Sequence, residues 1–189
     1  MKTLVIHPKD VSTDFLKPIY ADIKSKTVIV KDVTAGRLRE AIHTHDVIIM
    51  LGHGCANGLF NVAAVGKGPY TVGHELVEEL RGKQLIAIWC NSDKFIERHN
   101  LNALYSGMFI SEVSEARYCS VNGDQVQVNE SNDKFAALLG HMLTETSMDL
   151  GKTYDMVLES YTELGKTNVV AKYNSDRLYC NLALPCAYL

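Results

Sequence analysis

The sequence predicts an α/β fold: a three-layer, doubly wound, mainly parallel sheet with helices on both faces. Three observations carry this. Short unbroken apolar runs recur at Thr3–Ile6, Thr27–Val30, Val47–Leu51 and Leu85–Trp89, each stopping at turn residues. Such runs are the mark of strands buried on both faces, as in a parallel sheet. Stretches with apolar residues at helical spacing separate them, and the order βαβαβ–loop–αβ is that of a doubly wound sheet.

The elements follow in order. Thr3–Ile6 is the first strand, closed by His7 and Pro8. Phe15, Leu16, Ile19, Tyr20 and Ile23 are spaced as a helix over Ser12–Ile23, with Ser12 as N-cap, although Pro18 would break or delay it. After the strand Thr27–Val30, Thr34 caps a helix with Leu38, Ala41 and Ile42 inward. Val47–Leu51 is the third strand. Gly58–Gly73, rich in glycine, reads as a loop or small hairpin over a site. Val72–Leu80 is helical and ends at Gly82, and Leu85–Trp89 is the fourth strand. Beyond it, Phe95–His99 suits one or two helical turns, Gly107–Ile110 a fifth strand and Tyr118–Val121 a short sixth. Asp133–Glu145 and Thr153–Leu164 are helices, while Val169–Tyr173 and Leu178–Leu182 can close the sheet. No repeat or linker interrupts the 189 residues, so one domain over 1–189 is expected.

Composition excludes several function classes. A net charge of −3 and a pI near 6.1 give no reason to expect nucleic acid or an anionic membrane as partner. No apolar run approaches a bilayer span, and the start lacks the pattern of a signal peptide. Five widely spaced cysteines in no metal-ligand pattern point to reduced thiols in a cytoplasm.

The chemistry gathers at two strand ends. The third strand stops at Gly52-His53-Gly54 and the fourth at Cys90-Asn91-Ser92. Open α/β sheets keep their sites at the C-terminal ends of strands. On adjacent strands His53 and Cys90 would leave the sheet about 5–10 Å apart, given an interstrand spacing of about 4.8 Å. An imidazole that takes the thiol proton makes a nucleophile. Gly54, without a Cβ, can bring its N–H close to a substrate oxyanion, and the Cys90 N–H is a second donor. Competing readings are weaker. His53-x-Cys55 invites zinc but lacks a second ligand pair, so no metal is expected. Gly52, Gly54 and Gly58 follow the wrong strand, at the wrong spacing, for a dinucleotide loop. A nucleophile elbow of the class I amidotransferase or DJ-1-like kind wants a small residue where Ile88 stands, and a histidine after the cysteine.

An apolar strand ending in His-Gly, followed by one ending in Cys, resembles the caspase-like cysteine peptidases, the group of caspases, legumain, clostripain, gingipains, separase and CHAT-type domains. The resemblance spans roughly Leu4–Glu112 in element order and implies the caspase-like fold with both residues on adjacent parallel strands. It implies His53 as general base or acid, Cys90 as nucleophile and Gly54 as oxyanion donor. The departures are Trp89 before the cysteine, expected to crowd or reshape the primary pocket, and Asn91-Ser92 after it. Lys9-Asp10 and Ser111-Glu112 correspond to pocket loops, where Asp10 or Glu112 would favour a basic side chain. The expected function is a cytoplasmic cysteine endopeptidase, a hydrolase working through an acyl-enzyme on a peptide or protein substrate, with no cofactor. The alternative is a catalytically silent binding or regulatory module, whose interaction role exposed apolar residues in Gly58–Gly73 or Leu182–Leu189 would support.

Overall fold

The computed structural model describes residues 1–31, 33–61 and 68–182. The chain opens with β1 (Thr3–Ile6), a 3-10 helix at Val11–Leu16, α1 (Pro18–Ala21), β2 (Lys26–Ile29) and α2 (Ala35–His43). Next come β3 (Val47–Leu51), β4 (Gly54–Cys55), β5 (Gly58–Phe60), β6 (Tyr70–Val72), a 3-10 turn at His74–Leu76 and α3 (Val77–Leu80). The second half holds β7 (Gln84–Ile88), α4 (Ser92–Arg98), β8 (Ala103–Ser106), α5 (Val113–Tyr118), α6 (Gln125–Glu145), α7 (Leu150–Leu164), α8 (Val169–Ser175) and β9 (Leu178–Cys180).

Six strands form the central sheet in the order β2-β1-β3-β7-β8-β9, parallel except for β9, which runs antiparallel to β8. The order reverses between β1 and β3, the topological switch point where such sheets open a crevice. Alternation along each strand divides the core. Val5, Ile49, Ile86 and Leu104 pack against α1, α6 and α7 through Ile19, Leu139 and Tyr161. Leu4, Ile48, Met50 and Leu85 pack on the other side against α2, α3 and α4 through Ile42, Val77 and Phe95. Period-two burial on both faces explains why these strands read as unbroken apolar runs. The small antiparallel sheet β4-β5-β6 follows β3 directly, where the sequence suggested a loop or hairpin. Residues 62–67 of that stretch, and 183–189 of the tail, lie outside the described residues. Among the described residues no helix is long and apolar enough to cross a membrane.

Several elements differ from expectation, each for a local reason. Pro18 splits the first helix: it sits at the first position of α1, where its missing N–H costs nothing, leaving a 3-10 helix before it. The helix expected over Val72–Leu80 is divided among β6, the 3-10 turn and α3. The fifth strand is Ala103–Ser106, ahead of the expected Gly107–Ile110. Ile110 is buried without a strand partner because Asn174 takes both its amide (2.8 Å) and its carbonyl (2.9 Å). Tyr118 closes α5 and is 85% exposed, so no sixth strand forms at Tyr118–Val121. Val169–Tyr173 is helical: the Asn168 side chain caps the amides of Val170 and Ala171, and this outweighs the β-branched pair. α6 begins at Gln125, capped by Asp124, well ahead of the apolar spacing that marked it.

Candidate functional site

β3 and β7 pair in parallel with Leu51 opposite Ile88, so His53 and Cys90 each stand two residues beyond a matched pair. Both line a small pocket with Thr13, Leu16, Phe109 and Ser111. The pocket offers about 20 Å³, room for a water molecule but not for a side chain. His53 and Cys90 share its wall without a hydrogen bond between them; each is engaged elsewhere.

His53 belongs to a polar chain from the loop after β1. Asp10, at the N-terminus of the 3-10 helix, accepts from the Ser12 amide at 3.0 Å and the Ser12 hydroxyl at 2.8 Å. These bonds, the hydroxyl's first, hold the Asp10 carboxyl below the ordinary range. The Ser12 oxygen lies 2.7 Å from His53 Nε2. Ser12 has one proton and gives it to Asp10, so it accepts from Nε2–H; in the neutral ring Nδ1 is then the acceptor. The cap is therefore Asp10 and not Ser12, and Ser12 is a site residue that the sequence reading used only as a cap. An Asp-x-Ser in the loop after the first strand was the available signal. Below this loop, buried His7 is 3.1 Å from both the Tyr20 hydroxyl and Thr13 Oγ1, which fixes the loop against α1.

Cys90 meets the segment leading into α5. Its Sγ lies 3.5 Å from the Phe109 carbonyl and 3.8 Å from the Glu115 carboxylate, two acceptors that share the one thiol proton. Burial pushes the thiol up, and the Glu115 charge adds to it, to about 12. Both effects penalise the thiolate. Asn91 takes a left-handed conformation (φ 64°), which turns the chain sharply from β7 into α4. The Ser92 hydroxyl lies 2.7 Å from the Ala87 carbonyl and 2.6 Å from that of Ser106, and accepts from the Ser106 amide at 3.1 Å. Ser92 thus ties β7 to β8 beneath the cysteine.

Trp89 is buried among the α4-side residues, with its ring edge-on to Phe95 at 5.7 Å and its Nε1 donating to the Cys55 carbonyl at 3.1 Å. The indole lies against Gly54, where a Cβ would approach Trp89 Cδ1 to 2.2 Å. This packing requires glycine at 54 whatever its N–H does. Cys55 faces Tyr70, with Sγ 3.5 Å from the hydroxyl. Among the described residues no group of three or more His, Cys, Asp or Glu is arranged to hold a metal. Glu112 begins α5, its side chain part of a capping box with Glu115.

No family model matches the chain, and no curated protein matches it. Among solved structures it is similar to an NADPH-quinone reductase from P. pentosaceus, at 15% identity and a TM-score of 0.34, over 72% of this chain and 98% of that one. That neighbour bears the name of an oxidoreductase and not of a hydrolase. At such a score the likeness assigns this chain neither reductase chemistry nor a cofactor. The expectation of a cysteine endopeptidase acting through a His53–Cys90 dyad, and with it the hydrolase reading, is corrected. The named neighbour lends it nothing, and the site's chemistry opposes it: Cys90 is a half-buried, carboxylate-facing thiol pushed up to about 12, and the Nε2 of His53 is engaged by Ser12. What stands is an α/β protein with a six-stranded, mostly parallel sheet flanked by helices.

Proposed function

We propose that this chain is a binding or regulatory module on a scaffold resembling the caspase-like group. The surface around its switch-point crevice recognises a peptide or protein partner, and Cys90 performs no covalent chemistry. The observation that carries this reading is the surroundings of the thiol, half-buried and facing a carbonyl and a carboxylate of one segment. Nucleophilic cysteines sit in electropositive surroundings, whereas the charged group facing this thiol is a carboxylate. The placement of His53 and Cys90 on adjacent parallel strands supports the scaffold resemblance. A partner would meet Nδ1 of His53 and the stacked pair Phe60–Tyr70 on the neighbouring small sheet, with ring centroids 5.9 Å apart and Phe60 36% exposed. The free cysteines among the described residues suit a cytoplasmic setting.

Site-resolved alkylation by iodoacetamide against pH, read by mass spectrometry, tests the reading. Cys90 is expected to react more slowly than Cys55 across the range. Fast alkylation of Cys90 below the ordinary thiol pKa of about 8.5, abolished by His53→Ala, would overturn it.

A further inference from the structure

We propose that Glu115 is a latch, one carboxylate that both closes the crevice and masks the Cys90 thiol; this deepens the binding-module reading and rests on it. Glu115 Oε2 accepts from the Ser111 amide at 2.7 Å, the Ser111 hydroxyl at 3.0 Å and the Glu112 amide at 3.1 Å. These bonds fasten Ser111, a wall of the pocket, to the first turn of α5. The other oxygen, Oε1, faces Cys90 Sγ at 3.8 Å, and the second acceptor of the thiol, the Phe109 carbonyl, belongs to the same segment. Phe109–Glu115 therefore touches the sulfur at both of its ends. A group that pushes the Ser111 wall outward moves with it the carboxylate that faces the sulfur.

The segment has two further anchors, both ahead of Glu115. Asn174 holds Ile110, and Asn132 Nδ2 donates to the Ser111 carbonyl at 2.9 Å. Asn132 is 6% exposed, and its Oδ1 is buried without a partner among the described residues. An acceptor is thus left close to Ser111 for a donor that arrives as Glu115 lets go. Two other titratable groups face the thiol: Cys119, just past α5, and Tyr173 on α8.

The test compares full-length Glu115→Gln, Glu115→Ala and Ser111→Ala with wild type, by alkylation of Cys90 with iodoacetamide at fixed pH. Glu115→Gln keeps an acceptor for the Ser111 and Glu112 amides but removes the charge. It is expected to speed Cys90 about tenfold, because loss of the neighbouring carboxylate charge favours the thiolate. Glu115→Ala should speed it further and Ser111→Ala less, with Cys55 unchanged throughout. Cys119 reports fraying of α5. The latch is overturned if Cys90 stays as slow as in wild type in the Glu115 variants. It is equally overturned if Cys55, Cys90 and Cys119 all speed up together, which would make Glu115 a helix cap only. Failure of the function reading looks different, since there wild-type Cys90 is already fast.

Discussion

Gly54 and Trp89 are packed so closely that neither can change alone. A Cβ at 54 would lie 2.2 Å from Cδ1 and 2.6 Å from Cγ of the indole, and 2.7 Å from the Gly58 carbonyl oxygen. The ring cannot retreat easily: it is 1% exposed, bonded through Nε1 and edge-on to Phe95. Gly54→Ala should therefore destabilise the fold by about 1–3 kcal/mol, the range of an overpacked core. In urea the midpoint should fall with the slope unchanged. An unchanged midpoint would mean that β4 shifts freely.

Ser12 sets which nitrogen of His53 carries the proton. Long-range nitrogen–proton correlation spectra of the neutral ring should show the Nε2–H tautomer in wild type. Ser12→Ala should raise the Nδ1–H population, because the acceptor 2.7 Å from Nε2 is gone. A wild-type ring protonated at Nδ1 would contradict the Asp10–Ser12–His53 order of donation.

His7 should make the protein acid-sensitive. Burial lowers its pKa below 6.5, so below about 6.5 the unfolded chain binds the proton that the folded ring resists. Its contribution to stability is whole above 6.5 and is lost as the pH falls through the folded value. His99, beside His74, is shifted the same way, chiefly by desolvation. Melting temperatures from pH 8 to pH 5 should fall in wild type and fall less in His7→Gln. His99→Gln separates the two contributions. An equal fall in His7→Gln and wild type would remove His7 as a source.

Asn174 substitutes for a strand partner at Ile110. Asn174→Ala leaves a buried amide and a buried carbonyl unpaired and also removes the 3.3 Å bond to Tyr161. A loss of about 2–4 kcal/mol is expected from such orphaned groups. Chemical denaturation measures it, and faster hydrogen exchange at Ile110 should accompany it. A loss below about 1 kcal/mol would show that water replaces the side chain.

The sequence by itself placed His53 and Cys90 at strand ends, because a strand buried on both faces has no polar residues and its apolar run stops where burial stops. It also supplied the alternation of strands and helices that winds the sheet. It misplaced Gly107–Ile110 and Val169–Tyr173 because a short apolar run has the same appearance in a strand, a capped helix or a buried loop. Only Asn168 and Asn174, acting through side-chain bonds, separate those cases here. The state of the site was decided by the tertiary structure alone. Cys90 answers to Phe109 and Glu115, 19 and 25 residues away, and His53 to Ser12, 41 residues away. Spacing along the chain places a thiol and an imidazole at one sheet edge, whereas their protons depend on burial and on neighbours that only folding brings.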